Sequence, residues 1–179
     1  MRAHFFLFSI LVLLCSSLCF SEQKYQYQSY MSGDTTLTNW LVIPSDQSIA
    51  IKGENLGNAV ELDYSSAYEL KEFNEVDPSK ATFQVKRYGD ALSVVNQGKN
   101  TLLTIGPARW IQEFKFGFKP FLESSEKKID FVIVYKKDTS IHEMVATKEK
   151  IEKLYVEGKE YSAQKLKITL AGFKKRFWK

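Results

Sequence analysis

The sequence predicts a mainly β domain: a single antiparallel sheet, curved or half-closed into a barrel, with at most one or two short helices. Two observations carry that prediction. Apolar residues recur with period two in most segments, which places one side-chain set on each face of a strand. Turn-forming clusters also separate these segments at the short intervals of an antiparallel meander.

Residues 1–21 read as a secretory leader, so the domain is assigned to residues 22–179. Arg2 charges a short amino-terminal region, Phe5 to Leu14 is apolar apart from Ser9, and Cys19 and Ser21 hold the small-residue places before a cut at Glu22. The apolar run is about half the roughly 20 residues a membrane span needs, so no transmembrane span is expected in the mature chain. Export to the bacterial periplasm or cell envelope follows. Leu14 before Cys15 and Leu18 before Cys19 stand where a lipidation signal prefers small residues, so lipid anchoring is not favoured.

Cleavage removes both cysteines and His4. Disulfides, thiolate nucleophiles and cysteine-based zinc sites go with them. His142 is left as the one histidine, so neither a metal site nor a cofactor is expected. Loss of Arg2 lowers the formal charge from +4 to +3, too little to argue for a polyanion, and no nucleic-acid partner is expected.

The strands follow in order. Val60, Leu62 and Tyr64 alternate with Glu61, Asp63 and Ser65; Phe83 and Val85 alternate with Thr82, Gln84 and Lys86. Phe114, Phe116 and Phe118 alternate with Glu113, Lys115 and Gly117, and Trp110 falls on the same face. Ile129 to Tyr135 is apolar at both parities and reads as a central strand covered on both sides. Leu166, Ile168 and Leu170 close the series. Turns are expected at 32–34, 44–46, 52–55, 77–79, 88–90, 96–100 and 157–159, each holding Gly, Pro, Asn, Asp or Ser. Two segments also fit helices: Ser66 to Phe73, through a capping-box pattern, and Ile141 to Tyr155, through a stripe at helical spacing. Strands are preferred at both, the first as a long strand from Val60 to Leu70.

Chemistry is bounded mainly by what is missing. The chain has no nucleophile elbow, phosphate-cradling loop or His-Glu-x-x-His pattern. Glu61 and Asp63 share a strand face and could in principle serve as acid and base, yet they are also the wet half of an alternating strand. No catalytic residue is assigned. Trp110, Phe114, Phe116 and Phe118 form the most distinctive pattern, a same-parity strip that reads as ordinary core or, alternatively, as an apolar surface for a ligand such as lipid. Lys174, Lys175, Arg176 and Lys179, interleaved with Phe173, Phe177 and Trp178, suit contact with an anionic surface.

The hairpin around Gly158, the strand Leu166 to Leu170, and Gly172 with Phe177 and Trp178 resemble bacterial exported β-rich domains of unknown function. More distantly, the pattern resembles the lipoprotein carriers LolA and LolB. That likeness implies a half-barrel holding acyl chains on an apolar face, hence a non-enzymatic binding or carrier module. In the resembling group further strands follow the Phe-Trp pair, so the resemblance implies here either a last strand at an exposed edge or a shortened reading frame. The alternatives are an interaction protein docking on an envelope partner through an edge strand or the basic tail, and a carboxylate-based hydrolase.

Overall fold

The computed structural model describes residues 21–31, 34–55, 57–79, 81–156 and 158–171. The leader residues 1–20, the turn residues 32–33, and the basic residues Lys174, Lys175, Arg176 and Lys179 lie outside the described residues.

The chain is mainly β and antiparallel, with one short helical segment, and the sheet is not closed into a barrel. The strands divide between two sheets. Eight form an unbroken meander, each paired to the next: β1 (Gln23–Met31), β2 (Asp34–Pro44), β3 (Ser48–Asn55), β4 (Asn58–Ser65), β5 (Leu70–Val76), β6 (Thr82–Tyr88), β7 (Ala91–Asn96) and β8 (Lys99–Thr104). Three more, β9 (Lys128–Tyr135), β10 (Ser140–Val156) and β11 (Lys159–Leu170), form a second sheet with β10 in the middle. Among the described residues β11 is an outer strand of this sheet. Between β8 and β9 lie two short helices, α1 (Phe114–Gly117) and α2 (Lys119–Glu123).

Alternation builds the core directly. Trp40, Val42, Ile51, Leu62, Tyr64, Phe73, Phe83, Val85, Leu92 and Val94 all bury the same face of the eight-stranded sheet. Val132 and Val134 of β9 complete that cluster. The opposite side of β9, through Ile129 and Phe131, packs with Met144, Ala146 and Leu170 into a second cluster. One strand thus serves two cores, which is why both of its parities are apolar. Asn96 ties the sheets together by donating to Lys136 O at 2.7 Å and to Thr139 Oγ1 at 3.1 Å.

Four expectations are corrected. β9 is the outermost strand of its sheet, not a central one. Its free edge is covered by residues 109–112: Val132 N donates to Arg109 O at 2.8 Å and Ile111 N to Val132 O at 3.0 Å. The Gln112 side chain then acts as a further strand partner, with its amide group bonded to both Val134 O and Val134 N. A covered edge needs apolar residues as a central strand does, and it cannot template aggregation.

The Val60 to Leu70 strand is instead two strands joined by a turn, closed by Tyr68 N to Ser65 O at 2.9 Å, with Tyr68 at φ 58°. The expected turn at 52–55 lies inside β3, and Gly53 serves packing: a Cβ there would stand 2.4 Å from the Trp40 ring. Finally, the segment holding Phe114, Phe116 and Phe118 is helical. Glu113 caps α1 by accepting from Lys115 N at 3.0 Å, and Pro120 in the first turn of α2 sits where its missing N–H costs nothing. The preference for a strand over Ile141 to Tyr155 holds, as does the Gly158 hairpin.

Candidate functional site

Helical winding separates the aromatic residues that strand parity would have aligned. Phe116 points to the eight-stranded sheet, with its ring 5.3 Å from Trp40 and 5.6 Å from Tyr27. Phe118 points the other way, 5.3 Å from Phe131 and perpendicular to it. Phe114, four residues before Phe118, stacks on the same side at 5.4 Å but stays 40% exposed. Trp110 is buried in the first cluster and donates from Nε1 to Gln112 Oε1 at 3.1 Å. The four rings therefore form no common strip. Trp110, Phe116 and Phe118 are packed inside, and α1 and α2 act as a two-sided wedge between the sheets.

The wedge leaves a cleft on each flank. On one flank a cleft of about 330 Å³ is lined by apolar and aromatic residues, among them Tyr64, Trp110, Ile111, Phe121 and Ile129, and by the charged Glu69, Arg87 and Arg109, with Tyr68 and Gly117 at its wall. On the other, a cleft of about 310 Å³ is lined by Tyr25, Tyr27, Val42, Tyr68, Lys115, Phe116, Lys119 and Leu122. Tyr68 borders both. A larger groove of about 660 Å³ runs between Thr104 to Ala108 and the strands β9 and β10, reaching Ala171. Ala171 is the last described residue, whereas the first cleft is bounded by described elements throughout.

The polar groups around these clefts are unevenly satisfied. Glu113 is the one acid buried among the described residues, and Lys115 Nζ lies 3.3 Å from it and 5.1 Å from the Trp40 ring centre. Burial, reinforced by Glu113 and Tyr68, pushes the Tyr64 phenol far above its ordinary range, so it stays protonated. Its hydroxyl is fully buried and has no hydrogen-bond partner among the described residues. Burial raises Tyr27 as well, with Tyr25, Glu113 and Tyr68 adding to the effect. A Cβ at Gly117 would meet Ile111 Cγ2 at 2.7 Å, so the backbone of α1 lies close against the cleft wall.

The remaining candidates are spent on ordinary surface contacts. Glu61 pairs with Lys52 at 2.9 Å on the wet face of the sheet, while His142 stacks on Tyr135 with centroids 4.9 Å apart. Among the described residues no three His, Cys, Asp or Glu side chains converge as a metal site would need, and no helix is long and apolar enough to cross a membrane. Strand reading puts Tyr64 and Arg87 on inward parities but does not bring them together with Tyr68 around a cleft. The signal for the wedge was present in Ile111, Phe114, Phe118 and Phe121, spaced as on one helix face. Comparison with protein-family models, with curated proteins and with solved structures finds no match to this chain.

Proposed function

We propose that the protein is a non-enzymatic binding or carrier module of the bacterial envelope, exported by its leader, that holds an apolar molecule beneath the helical wedge. One observation carries the reading. The apolar face of an open eight-stranded sheet is covered by β9, by Trp110 and by two short helices, and clefts with aromatic residues in their walls remain on both flanks of the helices. Such clefts lie at the small end of the 300–1,000 Å³ range of ligand sites, whose walls are mostly apolar and aromatic. The site proposed here differs from the aromatic strip: the rings of Trp110 and Phe116 serve as walls, not as an open platform.

The test is ligand retention. Delipidated protein mixed with dodecanol should hold one molecule per chain in native mass spectrometry. Ala67→Trp, at an exposed position on the cleft rim, should lower that retention about tenfold, which corresponds to roughly 1.4 kcal/mol. No retention by the wild type, with the fold intact, would sink the reading.

A second reading, an interaction protein, is favoured by the β10–β11 hairpin. β9 pairs with β10 only from Ser140 to Thr147, so from Ile151 to Val156 the hairpin is two-stranded. A two-stranded ribbon is marginal by itself in water, yet this one exposes Ile151, Leu154, Tyr155 and Tyr161. A photoreactive residue at position 155 should trap an envelope protein in cells while one at Tyr88 does not; equal trapping at both removes this reading.

A further inference from the structure

We infer that the 330 Å³ cleft takes a single-chain amphiphile with an anionic head, and that Arg87 holds the head. The inference rests on the carrier reading and names the ligand class for that site.

Strand parity places the cation. On β6, Phe83, Val85 and Arg87 share one face, and the first two are wholly buried in the core. Arg87 therefore carries a guanidinium to the rim of the apolar face, where it lines the cleft with Trp110, Ile111, Phe121 and Ile129. Its Nε donates to Gly89 O at 3.0 Å and its Nη1 to Ala108 O at 3.3 Å. These two bonds fix the plane of the group and use two of its five donors.

No carboxylate pairs with Arg87 among the described residues, in contrast to the other cations at the two clefts. Arg109 lies 3.3 Å from Glu126, Lys115 is paired with Glu113, and Lys119 is paired with Glu123. A half-buried guanidinium without a counter-charge is held at a cost, and an anionic ligand would remove that cost. The fixed fork suits the two oxygens of a carboxylate or phosphate. The lining is mixed: Trp110, Ile111, Phe121 and Ile129 offer an apolar stretch for one hydrocarbon chain, while Arg87, Arg109 and Glu69 make the rest polar. Tyr64, whose hydroxyl has no partner among the described residues, lines the same cleft.

Dodecanoate, dodecyl phosphate and dodecanol, equal in chain and different in head, separate the possibilities. Wild-type protein should bind one or both anions about tenfold or more tighter than the alcohol, as a charge-assisted bidentate contact implies; which anion leads identifies the head. In Arg87→Gln the preference should fall to within about twofold, and in Arg87→Lys much of it should persist, because charge remains but the fork is lost. High salt should compress the wild-type preference, which decides the matter even if Arg87→Gln does not fold. Equal binding of all three by the wild type overturns the head-group assignment and leaves the carrier reading standing. An anion preference that survives in folded Arg87→Gln overturns it too, and binding of none of the three removes both.

Discussion

Replacing Trp40 with alanine should lower the unfolding free energy by about 3–5 kcal/mol, the range for a fully buried large aromatic. Trp40 is 2% exposed and meets a neighbouring strand and the first helix. Its face lies on Gly53, its edge meets Phe116 at 5.3 Å, and the Lys115 ammonium sits 5.1 Å above it. Its Nε1 donates to Thr38 Oγ1 at 3.1 Å, so alanine also leaves a buried hydroxyl without its donor. Because Gly53 offers no side chain that could move into the space, the cavity cannot collapse cheaply. Chemical denaturation should report the loss as a lower midpoint. A change under about 1 kcal/mol would mean that the ring is not the keystone described.

Phe118→Ala should cost a similar amount, about 3–5 kcal/mol, whereas Phe114→Ala should cost about 1 kcal/mol or less. Phe118 is 2% exposed and contacts Phe114, Phe121 and Phe131, so it anchors the wedge to the three-stranded sheet. Phe114 touches Phe131 at 6.1 Å but leaves much of its ring in water. The contrast separates two accounts of the same sequence. A strand with Phe114, Phe116 and Phe118 on one face would give the three positions comparable costs. A helical wedge makes the first cheap and the other two expensive. Parallel denaturation curves of the three alanine variants decide between them.

Much of the fold was legible because alternation has a direct physical cause. Val60, Leu62 and Tyr64, and Phe83 with Val85, each bury a single face, and the turns at Gly89 and Gly98 adopt the positive φ that glycine makes easy. Where one residue type answers two needs, the sequence was ambiguous. Gly53 looks like a turn residue, yet it is small to admit Trp40. Ile129 to Tyr135 looks like a central strand, yet its doubled apolarity reflects two cores and a covered edge.

The site was less legible for a related reason. Phe114, Phe116 and Phe118 fit period two, while Ile111, Phe114, Phe118 and Phe121 fit period 3.6, and both patterns lie within the same eleven residues. Pro120, which cannot donate within a sheet ladder, was the local sign that favoured the helix. Arg87 could be placed on an inward parity from sequence, but whether a carboxylate pairs with it depends on which loops close over β6. That is a tertiary fact.

The most direct measurement of the central claim is the set of intermolecular NOEs between a carbon-labelled dodecyl chain and the protein. Bound beneath the wedge, the chain should show contacts to the Ile111 and Ile129 methyl groups and to the Phe121 ring, which line one cleft. Contacts confined to exposed Ile151, Leu154 and Tyr155 on the hairpin, with none to Ile111, Ile129 or Phe121, would contradict it.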